Sequence, residues 1–218
     1  MTAPLTSARK GPAKARSVVI FVHGYGADGA DLLGLADPLA PHLPDTAFYA
    51  PNAPQPCTGN PMGFQWFPIP WLDGSSEAQA QVGMAEAAKA LNAFIDTVLA
   101  DEGLTPDRLA LVGFSQGTMM SLHVAPRRDA EIAGIVGFSG RLLTPETLQA
   151  ETRVKPPVLL IHGDQDPVVP FADMDLAGTA LQQAGFTVYG HVMKGAAHGI
   201  SQDGLSAALS FLHERLPR

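Results

Sequence analysis

Short apolar runs and longer amphipathic stretches alternate along most of this chain. Six runs read as strands: SVVIFVHG (17–24), TAFYAPN (46–52), RLALVGF (108–114), IAGIVGF (132–138), PVLLIHG (157–163) and TVYGHVM (187–193). Several are apolar at consecutive positions, the pattern of a strand covered on both faces, as in a parallel sheet. The clearest helix spans about 76–102, where Met84, Ala88, Leu91, Ile95 and Val98 recur at steps of three and four. Ser76 and Gln79 predict a capping box at its start, and Gly103 predicts its stop. Residues 172–184 read as a second helix closed by Gly185. A last one follows a cap at Ser201, with Leu205, Ala208, Leu209, Leu212 and Leu216 on one face. Strands alternating with helices predict an α/β domain: a mainly parallel central sheet with helices on both faces.

One segment breaks the alternation. Residues 50–76, APNAPQPCTGNPMGFQWFPIPWLDGSS, are rich in Pro and Gly yet carry Phe64, Trp66, Phe67, Ile69 and Trp71. So many aromatics argue against disorder, and a loop this long inside a compact domain is usually functional. The segment is expected to be ordered and functional.

Composition narrows the class. The chain's 218 residues, 46% hydrophobic and 16% charged, suit one domain over 17–218 with a sizeable core. Neither a membrane-spanning run nor a signal peptide is read. Cys57, the single cysteine, has no partner for an internal disulfide, in keeping with a reducing cytoplasm. The net charge is −7, but Arg9, Lys10, Lys14 and Arg16 lie in the first sixteen residues, leaving 10 basic against 21 acidic residues beyond them. An acidic body argues against nucleic acid as a partner. Residues 1–16 read as a basic, solvated and flexible leader.

Ligands of parallel sheets bind beyond the carboxyl ends of the strands, so the residues just after the apolar runs are the ones to read for chemistry. Gly113-Phe114-Ser115-Gln116-Gly117 sits between the run RLALVGF and the helical MMSLHVA, the context of a nucleophile elbow. A serine hydroxyl needs a base, and the base needs an orienting group. Of seven histidines, His198 in KGAAHGIS lies in a small-residue loop between the last strand and the last helix. His23 and His162 end strands and are expected to shape the turns beyond them. The loop HGDQDPVVP offers two acids, Asp164 and Asp166; Asp166 precedes Pro167, which holds it extended. Ser139, in GFSG, lacks the second glycine because Arg141 stands there, and it reads as a strand-end turn. A tetrahedral oxyanion needs two donors, assigned to the amides of Gln116 and of Tyr25 in the glycine-rich HGYGADG.

These residues resemble the carboxylesterase, lysophospholipase and acyl-protein thioesterase family of α/β-hydrolases. The likeness runs from VIFVHGYGADGADL through YAPNAPQP and LVGFSQG to LLIHGDQDPVVP and GAAHGIS. It implies an α/β-hydrolase fold and, with position, favours Asp166 over Asp164, giving the triad Ser115, Asp166 and His198. It implies Tyr25 and Gln116 as oxyanion donors and Trp66, with Phe64 and Phe67, at the acyl pocket. It also implies hydrolysis of small-molecule carboxylic esters of short to medium acyl chain, without metal or organic cofactor. Thioester or lysophospholipid hydrolysis is the alternative, a non-catalytic binding protein on the same fold is a third reading, and a homodimer stays open. Where relatives often continue GFSQGG, Thr118 follows Gly117, a change expected to affect helix packing more than chemistry.

Overall fold

The computed structural model describes residues 4–217. Its centre is a seven-stranded sheet in the order β1-β3-β2-β6-β7-β8-β9. The strands are β1 (Ser7–Lys10), β2 (Ser17–Val22), β3 (Thr46–Pro51), β6 (Leu109–Phe114), β7 (Gly134–Phe138), β8 (Val158–Gly163) and β9 (Val188–Met193). β1 runs antiparallel to β3, and every other neighbouring pair is parallel. β4 (Gln55–Pro56) and β5 (Phe64–Gln65) form a separate small hairpin.

The apolar runs of β2, β6, β7 and β8 give doubly covered strands, as their composition requires, while β9, at the sheet edge, is mostly half-buried or exposed. Val18, Ile20 and Val22 face one core, while Val19 and Phe21 face the other. On the first side pack α4 (Glu77–Glu102), α5 (Gln116–Val124), α6 (Pro145–Glu151) and α7 (Ala172–Gln183), through Leu91, Met120, Leu148 and Leu181. On the second pack α1 (Gly29–Leu33), α2 (Ala36–Leu39) and α8 (Gln202–Arg215), through Leu32, Leu39 and Leu212. The short α3 (Pro70–Asp73) lies within the aromatic segment. α4 begins at the expected Ser76–Gln79 capping box and ends at Gly103 in the left-handed conformation, φ 65°. None of the described helices is long and apolar enough to cross a membrane.

The basic arm differs from its expectation as a flexible leader. Residues 7–10 add an edge strand to β3, and its cations find acids: Arg9 Nε donates to Glu102 Oε1 (2.8 Å) and Lys10 pairs with Asp37 (2.6 Å). Four residues without an apolar face give no strand signal. The free backbone edge of β3 and acids distant in sequence fix this piece. The 50–76 segment is likewise ordered: Phe64 N–H donates to Ala27 O and Gly26 N–H to Phe64 O, so the hairpin is stitched to the loop after β2.

Candidate active site

Ser115 stands where β6 turns into α5, with φ 54° and ψ −115°, a combination L-residues rarely adopt. Its neighbours explain the two glycines of the motif. A Cβ on Gly117 would stand 1.8 Å from Val22 O, and one on Gly113 would stand 2.5 Å from Thr118 N. Only bare Cα atoms let helix, strand and turn close this tightly. Ser115 N–H is held by Phe138 O at 2.9 Å, fixing the elbow to β7.

His198 follows β9 and is placed by its partners. Its Nδ1 lies 2.7 Å from Asp166 Oδ2, and its ring packs on Phe114, the residue before Ser115, with centroids 4.9 Å apart. The Asp166 side chain is fully buried. Its Oδ1 accepts from the amides of Val168 (2.8 Å) and Val169 (2.9 Å). Burial works against its ionisation, but the bond to His198 and these two amides outweigh it, holding the carboxyl below its ordinary range. An ionised Asp166 makes Nδ1 the protonated nitrogen of His198 and leaves Nε2 with a lone pair for a substrate-side proton. Among the described residues no hydrogen bond closes the last step, from Ser115 Oγ to His198 Nε2. Asp164 serves the neighbouring turn instead. Its Oδ1 accepts from Gly195 N–H at 2.7 Å and so pins the chain that leads to His198.

The two amides expected as oxyanion donors are free to face a ligand. Neither Tyr25 N–H nor Gln116 N–H donates to a partner among the described residues. Gly24 brings the first beside the elbow, since a Cβ there would lie 3.3 Å from Ser115 Cβ. His23, expected to shape the turn beyond its strand, does so through a partner distant in sequence that sequence reading did not name. Buried His23 accepts from Ala53 N–H at Nε2 (2.9 Å), so its Nδ1 carries the hydrogen and donates to Gly24 O (2.7 Å). Burial pushes the His23 imidazole down, which suits a ring that must accept at one nitrogen.

Trp66 is fully buried, and its indole Nε1–H donates to His23 O at 2.9 Å. The Gln116 side chain, also fully buried, accepts from Trp66 N–H (2.9 Å) and donates to Phe67 O (2.8 Å). Phe67 is buried and Phe64 half-buried. One residue thus offers its amide to the site and its side chain to the aromatic segment. The motif letter gave no sign of the second role. Ser139 also has positive φ, 47°, but it is fully buried, and its hydroxyl has no partner among the described residues.

A sequence model of the phospholipase/carboxylesterase family matches residues 6–216, and the chain belongs to that family. It is a hydrolase of the esterase and thioesterase kind on an α/β-hydrolase fold. Acyl-protein thioesterase 1 of Gibberella zeae is 30% identical over 92% of this chain and 91% of its own length. Esterase YpfH of Escherichia coli K12 is 29% identical over 94% of this chain and 85% of its own. The crystal structure of esterase PE8 superposes with a TM-score of 0.93 at 42% identity, covering 98% of this chain and 100% of that one.

Proposed function

We propose that this chain hydrolyses carboxylic esters of short to medium acyl length through an acyl-serine intermediate on Ser115. The observation that carries the reading is the 2.7 Å pairing of His198 Nδ1 with buried Asp166, set against the ring of Phe114 beside a serine in a strained elbow. His198 Nε2 takes the Ser115 proton as the hydroxyl attacks the carbonyl. The amides of Tyr25 and Gln116 receive the oxyanion, and the imidazolium then protonates the leaving alcohol. Water, deprotonated by the same nitrogen, releases the acid. Trp66 and Phe67 are buried and tied by the Gln116 side chain to the residue after Ser115, which supports the aromatic segment as a wall of the acyl site.

Thioesters are the second reading, favoured by the relatives named acyl-protein thioesterase 1. The same attack on a thioester carbonyl expels a thiolate. A fluorophosphonate probe is expected to label Ser115 stoichiometrically. Ser115→Ala and His198→Ala are each expected to lower aryl-ester turnover by about 10⁶-fold, with Asp166→Ala costing less, as in serine triads generally. Turnover unchanged in Ser115→Ala would end the proposal. A series of esters and matched thioesters of increasing acyl length separates the two readings by kcat/KM.

A further inference from the structure

A cleft of about 520 Å³ opens between α4, the last turn of α5 and the loop leading to β7. It is remote from the elbow: His123, on its wall, lies eight residues along α5 from Ser115, about 12 Å at 1.5 Å per residue. Four cations line it, Lys89, Arg127, Arg128 and Arg153, against two acids, Asp96 and Asp129. That surplus stands out on a chain of net charge −7.

The acids do not exhaust the wall. Asp96 pairs with Arg128 (2.6 Å), Asp129 with Arg153, and Glu151, from outside the lining, with Arg127 (2.5 Å). Lys89 forms no ion pair among the described residues. Two buried nitrogens on lining side chains also lack partners: Arg128 Nε, on a residue only 8% exposed, and His123 Nδ1. A buried, unmatched guanidinium N–H is costly, so a small shift of the Arg128 side chain that brought Nε to an acceptor in the cleft would be favourable. Burial, reinforced by the charge of Arg127, pushes the His123 imidazole down to about 4, so the wall resists a further cation.

We infer that this cleft binds the phosphoryl group of a soluble small molecule, at a site separate from Ser115. Lys89 leaves the wall one positive charge in surplus, and the three guanidinium groups, each ion-paired only with a solvent-exposed carboxylate that can turn away, suit phosphoryl oxygens. The exposed large apolar side chains, Met62, Trp71 and Leu176 among them, all lie outside the cleft. A membrane surface would therefore gain no apolar contact here.

Titration calorimetry of the full chain with inorganic pyrophosphate, at fixed ionic strength, tests this. The expected result is one saturable site, weakened about tenfold or more by Lys89→Ala and by Arg153→Ala. Both variants are expected to keep parental ester turnover, and Ser115→Ala to bind pyrophosphate as the parent does, so this test stands apart from the esterase reading. No saturable binding, or binding that neither cleft substitution weakens, overturns the inference. Binding to phosphatidate-containing vesicles without binding to pyrophosphate also overturns it.

Discussion

The sharp turn that holds Ser115 is paid for in backbone geometry. Strain at φ 54°, ψ −115° is of order 1–3 kcal/mol for a residue with a Cβ. Ser115→Gly is therefore expected to be more stable than Ser115→Ala, by about 1 kcal/mol in chemical denaturation, with both inactive. Equal stability would remove strain from the account. His162 raises a different residue-scale question. It is buried, and Val169 O lies 3.0 Å from its Nε2, which must therefore carry the hydrogen. The same nitrogen lies 3.4 Å from Asp166 Oδ2, the oxygen that faces His198. Removing that N–H dipole in His162→Leu makes the carboxylate more basic. The acidic limb of kcat/KM against pH is then expected to move upward, with His162→Gln restoring part of the shift. A profile unchanged in both variants would leave His162 a packing residue only.

At the scale of elements, the site depends on three close approaches. α5 presses against the end of β2 at Gly117, where a Cβ would overlap Val22 O. Gly117→Ala is expected to destabilise the fold by about 1–3 kcal/mol or more and to abolish activity by displacing the elbow. Thr118 is accommodated in kind: its hydroxyl donates to Phe138 O at 2.7 Å, and a Cβ on Gly137 or Gly140 would strike its methyl group at 2.6 Å and 2.6 Å. The larger residue on the helix is thus matched by two small ones on the facing strand end. The aromatic segment is joined to α5 by the Gln116 side chain. Gln116→Ala leaves the Trp66 amide and the Phe67 carbonyl without that partner. An expected loss of about 2 kcal/mol or more in denaturant melts, with altered acyl-length preference, checks this link.

The whole molecule is expected to lose stability toward acid in two stages. His23 and His123 are held below the ordinary value of 6.5, both mainly by burial. The unfolded chain protonates them first, so stability falls as pH drops from 6.5 toward about 4 for His123. Asp166 and Glu102 have depressed carboxyl values in the fold; their contribution is present above the unfolded carboxylate range and is lost as pH falls through those lower values. Melting temperature against pH is expected to fall less between 6.5 and 4 in His123→Asn than in the parent. Parallel curves would refute the assignment.

Much of this architecture was legible locally. Six apolar runs, the Ser76 cap, the Gly103 stop and the strand-to-helix setting of Ser115 are written in consecutive residues, because strand burial, helix capping and tight turns are decided by near neighbours. The edge strand of the basic arm was not, nor was the brace of His23 between Gly24 and Ala53. Nor was the double service of Gln116. Each depends on a partner made adjacent only by sheet order. So the sequence by itself determined the elements and the kinds of side chain at their ends. Position and resemblance favoured Asp166, but only the tertiary structure turns the shared loop so that Asp164 takes the Gly195 amide and Asp166 the imidazole, because that direction depends on chain brought near from β9.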